Sequence, residues 1–266
     1  MRDRKLIMKK ILKSAVKIIV VSYLGFGLIL YFFQKNYIYY PNRQDFKTCT
    51  YFLDSEKISI DGTRAYYKNN NSQNLFIFYH GNAGSACDRF YMKKYLEKND
   101  LDYLIVEYSG YSNDSRKPSK ELILQDVKNI NDFVNQKNYQ QIIITGESLG
   151  ASVAVYHSTL IDIDKLLLIS PFYSLNNIAK RVYTIYQINL LSTQNFDSSL
   201  WMKSSQAKEI RIIHGSQDEI VPIEESKKLF NEIEKVNKEF VVVPHAYHND
   251  IYDFTETDSS INEFIK

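Results

Sequence analysis

Two cysteines, nine glycines and almost no net charge are what this 266-residue chain has least of, and each shortage excludes something. Cys49 and Cys87 cannot frame a metal site by themselves and stand at no metal-ligand spacing. They could bridge only in an oxidising compartment, and the sequence gives no distance between them, so reduced thiols are the expectation. The net charge of +2 rests on the N-terminus, where Arg2, Arg4, Lys5, Lys9, Lys10, Lys13 and Lys17 face Asp3 alone. The chain beyond residue 17 is acidic, so nothing argues for nucleic-acid binding and none is expected. There is no internal repeat, and no low-complexity stretch beyond Asn69-Asn70-Asn71. The remainder is globular material, 44% hydrophobic and 24% charged, with room for one large α/β domain and an extra segment.

That extra segment lies at the start. Residues 18–33 hold sixteen positions without a charge. As helix they cover about 24 Å, a little short of a bilayer core. Ser14-Ala15-Val16 extends the run, Lys13 and Lys17 can snorkel, and Tyr37, Tyr39 and Tyr40 come next as an interfacial belt. A cleaved signal peptide is the rival reading, but bulky Tyr31-Phe32-Phe33-Gln34 offers no cleavage site, so an uncleaved transmembrane anchor is expected. The positive cluster precedes the span, and only Lys35 and Arg43 come soon after it. This orients the N-terminus to the cytoplasm and the domain to the far side, periplasmic or extracellular in a bacterium. The chain thus divides into a basic tail and anchor, 1–35, and a domain, 36–266, with 41–46 as linker.

Within the domain, short strands are expected at 50–53 and 57–67, the second bent at Asp61-Gly62. Apolar strands at 75–79, 101–108, 142–145, 165–170, 210–213 and 240–243 then alternate with helices at 86–97, 119–136, 224–236 and 258–266. Strands that are apolar on both faces and alternate with helices form a mostly parallel sheet covered on both sides. Ligands of such sheets bind beyond the carboxyl ends of the strands. Six of the nine glycines (81, 84, 110, 146, 150 and 215) come directly after a strand, so the chemistry is expected on that rim.

Gly146-Glu147-Ser148-Leu149-Gly150 stands between a strand and a helix, the context of a nucleophile elbow. Ser148 needs a base. His80 and His214 end strands and are expected to shape their turns, and His157 lies within a helix. His245 and His248 remain, both after the last strand, and His248 is favoured. Asp218, with Glu219 as its adjacent competitor, comes after a strand and is the expected carboxylate. The order serine, aspartate, histidine is that of the α/β-hydrolases. A tetrahedral intermediate needs two backbone donors, expected to be the N–H groups of Leu149 and Asn82. Residues 171–207 leave room for a short lid of aromatic character or for ordinary packing. Tyr111, Phe172 and Tyr173 are candidates to touch substrate.

His80–Ser85 (HGNAGS), the GESLG elbow, HGSQDEIVP at 214–222 and His248-Asn249-Asp250, behind an N-terminal anchor, resemble the membrane-anchored BEM-like α/β-hydrolase-domain-containing proteins. The resemblance covers roughly residues 35–266. It implies an eight-stranded, mostly parallel sheet and a serine hydrolase acting on ester or thioester bonds through Ser148, Asp218 and His248, without metal or cofactor. Some relatives remove palmitoyl groups from proteins. The family usually carries arginine where Glu147 stands, and its depalmitoylating members have a cysteine-rich N-terminus that this chain lacks. A peptidase or amidase on the same triad, or a non-catalytic anchored scaffold, are the other readings.

Overall fold

The computed structural model of the protein describes residues 2–234 and 236–266. Helix α1 (Arg2–Ile38) is continuous and exposed along almost its whole length, and is long and apolar enough to cross a membrane. After it come β1 (Tyr40–Pro41), a 3-10 turn, the hairpin β2 (Glu56–Ile60) and β3 (Thr63–Lys68), then β4 (Asn74–Tyr79) and β5 (Ala83–Gly84). A kinked 3-10 segment, Ala86–Met92, leads into α2 (Lys93–Lys98), β6 (Asp102–Glu107), α3 (Lys120–Asn135), β7 (Gln141–Glu147), α4 (Leu149–His157) and β8 (Ile163–Ile169). Three short helices are next, α5 (Leu175–Val182), α6 (Ile188–Leu191) and α7 (Ser198–Met202). The chain closes with β9 (Ala207–Gly215), α8 (Ile223–Asn231), β10 (Asn237–Val243) and α9 (Thr255–Phe264).

Eight strands form one sheet in the order β10-β9-β8-β7-β4-β6-β3-β2, parallel from β10 to β6 and antiparallel on either side of β3. The period-two geometry of a strand explains how continuous apolar runs serve two cores. Leu75, Ile77 and Tyr79 of β4 face one layer with α3, α4 and α8, whereas Phe76 and Phe78 face the other with α2 and α9. Leu166 and Leu168 against Leu167 and Ile169 of β8 divide in the same way. This is the mostly parallel, helix-flanked sheet expected from the sequence, with the apolar helix at its N-terminal side.

Four local expectations are corrected. Residues 50–53 are a turn, because Phe52 is buried by stacking on Tyr66 (ring centroids 4.8 Å apart) and needs no strand partner. The stretch expected as a linker begins in a strand: Tyr40–Pro41 pairs in parallel with Ala83–Gly84. The helix expected over 224–236 ends at Asn231, and residue 235 lies outside the described residues. Cys49 and Cys87 are not reduced thiols but a disulfide, with Cα atoms 5.8 Å apart. The tight turn after the first 3-10 segment brings Cys49 onto the Ala86–Met92 segment, a proximity invisible in sequence. Closing a 38-residue separation removes unfolded-state entropy, so reduction, or Cys49→Ser with Cys87→Ser, is expected to destabilise by about 2–4 kcal/mol. Urea melts with and without reductant measure this; coincident curves would mean the bridge is absent or without effect.

Candidate active site

Ser148 connects β7 to α4 at φ 52° and ψ −115°, a strained left-handed conformation for a residue with a side chain. Its amide is held by the Ile169 carbonyl at 2.9 Å. The flanking glycines answer to space rather than to their own dihedrals. A Cβ on Gly146 would lie 2.1 Å from the Gly150 carbonyl oxygen, and one on Gly150 would lie 2.1 Å from that of Tyr79. Only a bare backbone lets α4 start this close to β4.

The expected partners converge there. His248, in the loop after β10, has Nε2 3.1 Å from Ser148 Oγ and Nδ1 2.6 Å from Asp218 Oδ2. The carboxylate fixes the tautomer: Nδ1 carries the proton toward Asp218, leaving Nε2 free to accept from the serine hydroxyl. His245 is exposed, and its backbone amide bonds Ser216 instead. Burial of Asp218 opposes its charge, but hydrogen bonds from His214 and His248, the charge of His248 and the Val221 amide outweigh that and hold its carboxyl well below the usual range. Oδ1 accepts from the amides of Ile220 and Val221, at 3.0 and 2.7 Å. Glu219, its sequence neighbour, is exposed.

His214 does more than shape its turn. Nε2 lies 2.8 Å from the Val221 carbonyl and 3.3 Å from Asp218 Oδ2, two acceptors, so this nitrogen must carry a proton. His214 thereby supports the aspartate that supports His248. The four-residue spacing from His214 to Asp218 is its signal in the sequence.

Asn82 is clamped from three sides. Its carbonyl accepts from the Tyr40 amide (3.0 Å) and the Tyr111 hydroxyl (2.7 Å), and its side-chain amide donates to the Ile38 carbonyl (2.9 Å). Its own N–H, like that of Leu149, has no hydrogen-bond acceptor among the described residues. Tyr111 does not line the cleft at Ser148: it is fully buried behind this loop, with its hydroxyl spent on Asn82. Phe172 is packed in the core, and Tyr173 turns its hydroxyl to Glu232 at 2.9 Å, so neither lines the cleft at Ser148.

That cleft, of about 600 Å³, is bounded by Ser148, His248 and Asn82 on one side and by Arg89, Tyr91 and Tyr252 on the other. Glu147 sits beneath it. Its carboxylate accepts from Arg89 Nε (2.5 Å), the hydroxyls of Tyr91 (2.7 Å) and Tyr252 (2.9 Å), and the Gly81 amide (3.1 Å). Burial works against its charge, yet the Arg89 guanidinium and these donors bring its pKa down to about 2. Because Gly81 N–H is consumed here, the free amide of the loop is Asn82. Arg89, Tyr91 and Tyr252 line the candidate site and carry no signal in the sequence, since none stands directly after a strand.

The sheet order, the elbow and the loops at the strand ends define the α/β-hydrolase fold. No protein-family model matches the chain. The uncharacterised protein YfhR of Salmonella typhimurium is 24% identical over 243 residues, 82% of each chain. Among solved structures, an esterase of Pyrococcus furiosus, Pf2001, superposes with a TM-score of 0.66 at 19% identity, covering 86% of this chain and 97% of its own. Est1E of Butyrivibrio proteoclasticus, solved with ferulic acid bound, gives a TM-score of 0.64 at 20% identity, covering 79% and 98%.

Glu147→Gln leaves half-buried Arg89 without its counter-charge and is expected to cost about 3 kcal/mol at neutral pH, the low end for such a pair. The folded pKa of Glu147 is depressed, so its stabilisation is present above the ordinary value of 4.5 and is lost as pH falls toward 2. Denaturation curves of the two proteins should therefore differ at pH 7, draw together below the ordinary value of 4.5 and converge only at about pH 2; a gap independent of pH would assign the loss to packing alone.

Proposed function

We propose that the protein is a membrane-anchored serine hydrolase that cleaves carboxylic ester or thioester bonds, of the BEM-like type its motifs resemble. The observation that carries this reading is the chain of contacts from Ser148 Oγ to His248 Nε2 and from His248 Nδ1 to Asp218, 3.1 and 2.6 Å long. Ser148 Oγ attacks the acyl carbon while His248 takes its proton, and Asp218 stabilises the imidazolium. The N–H groups of Asn82 and Leu149 receive the oxyanion, with the α4 N-terminus adding a favourable dipole. His248 then hands its proton to the departing alcohol or thiol, leaving an acyl-serine. Water, activated by the same imidazole, attacks this acyl-enzyme, and the acid leaves as Ser148 recovers its proton.

The two esterases sharing the fold favour oxygen esters as the first substrates to try. Two features support a domain beyond the membrane: the basic cluster precedes α1's apolar run, and the Cys49–Cys87 bridge lies after it, as an oxidising compartment permits. Protease added to the non-cytoplasmic face of the membrane, with any outer membrane first removed, should then digest the domain; complete protection would reverse the orientation.

A fluorophosphonate probe should label the wild type and not Ser148→Ala; equal labelling of both refutes the proposal. A panel of p-nitrophenyl esters, acyl-thioesters and aminoacyl amides ranks the bond cleaved. Tyr111→Phe removes one support of the Asn82 carbonyl without touching the cleft. It is expected to lower kcat roughly tenfold at nearly constant KM, because the oxyanion donor acts mainly in the transition state. A change confined to KM would place Tyr111 in binding after all.

A further inference from the structure

The lid residues do not close over the cleft; they run along α1. Tyr23 stacks on Tyr186 with ring centroids 4.5 Å apart and planes 4° from parallel, and its hydroxyl donates to the Ile185 carbonyl at 3.1 Å. The Tyr186 hydroxyl returns a bond to the Tyr23 carbonyl at 2.9 Å. Gly27 lets the Tyr186 ring lie against the helix: a Cβ there would be 3.2 Å from its Cε1. One side chain further along, Leu30 is buried against Tyr186 and Ile188. Gln34 closes the seam, donating to the Leu191 carbonyl (3.3 Å) and accepting from the Thr193 amide (2.8 Å).

The docked limb thus accompanies α1 from Gln34 back to Tyr23, about 16 Å of helix, almost all of it inside the uncharged run 18–33. Whatever surrounds α1 there surrounds the limb. From Val182 to Phe196 the lid carries no charged side chain, while Lys180 and Arg181 stand just before it and Asp197 just after. Its outward residues are uncharged, and the large ones are apolar: Val182, Ile185 and Leu190 are 67, 70 and 82% exposed, beside exposed Thr184, Gln187 and Asn189. A soluble surface has no use for them, nor would α1 need to lend Tyr23 and Gln34 to cap carbonyls that water could reach. Between α1 and the limb lies a cavity of about 220 Å³, with Leu30, Ile38, Ile178, Ala179, Val182 and Leu191 on its walls. Ile38, on this wall, also holds the side chain of Asn82.

We propose that the Val182–Leu191 limb lies in the lipid leaflet beside α1, and that the cavity they enclose takes a hydrocarbon chain from that leaflet. The proposal rests on the anchoring of α1 and not on hydrolysis. The occupant is a lipid chain rather than a protein partner because the cavity and the exposed residues are continuous with a helix suited to bilayer.

The full chain, its two native cysteines bridged, would be given a single new cysteine carrying an NBD dye at Ile185, at Leu190, or at Leu53, which is 75% exposed on the domain, away from α1. In phosphatidylcholine vesicles, a lipid spin-labelled within its acyl chain should quench the dye at 185 and 190 several-fold more than at 53. Equal quenching at the three sites overturns the leaflet placement. A phosphatidylcholine with a diazirine in its tail should form adducts on peptides covering 30–38 and 175–192, and Ala179→Trp, which fills the cavity, should reduce those adducts several-fold. Adducts confined to the outer face of α1 overturn the chain-binding cavity. If the protein fails to sediment with vesicles at all, the anchor itself is refuted, an outcome separate from any result with fluorophosphonate.

Discussion

Helix α4 begins in contact with β4, and this contact governs the rest of the site. The Gly150 backbone passes so near the Tyr79 and His80 carbonyls that no side chain fits, and Gly146 faces the first turn of α4 just as closely. Between the two, Ser148 is forced out of the sheet in a conformation that costs of order 1–3 kcal/mol and survives only because its surroundings determine it. The same approach aims the free N–H of Leu149 and the loop after β4 at one point. The Ser148 hydroxyl and the two amides proposed to receive an oxyanion are thus set by a single close packing.

Around that point, three carboxylates at the strand ends stitch the loops together. Glu107, ending β6, accepts from the Ala86 amide and the Ser112 hydroxyl. Glu147, ending β7, holds Gly81 and Arg89. Asp218, after β9, holds Ile220 and Val221 as well as His248. Each acid reaches a loop other than its own, so the rim is braced sideways by charge-assisted hydrogen bonds, stronger than neutral ones. Glu147 finds its positive partner in Arg89 of the neighbouring segment.

How much the sequence discloses depends on how local each signal is. Ser148, Asp218 and His248 stand just after apolar strands, and a parallel sheet gathers such positions on one edge whatever the details of packing. The direction of a side chain beyond the edge is not local. Tyr111 stands as close to its strand as Asp218 does, yet it turns inward to Asn82, and nothing in its neighbours says so. The pairing of β1 with β5 involves two residues a side, too few for any periodicity. The Cys49–Cys87 bridge and the Arg89–Glu147 pair join segments 38 and 58 positions apart, and tertiary structure alone sets their distance. The lid shows the same limit: its apolar residues are plain in the sequence, but their partner is another apolar helix.

Asn82 is held by the last carbonyl of α1 and the first amide of β1. Helix α1 is therefore not a tether attached to a finished domain. A cut between Ile38 and Tyr40 would leave serine, aspartate and histidine aligned, and the 182–191 limb still packed on α1, but would free the Asn82 loop from one of its clamps. On the proposed reading, the join between helix and domain would then tune turnover without any change to the three side chains themselves.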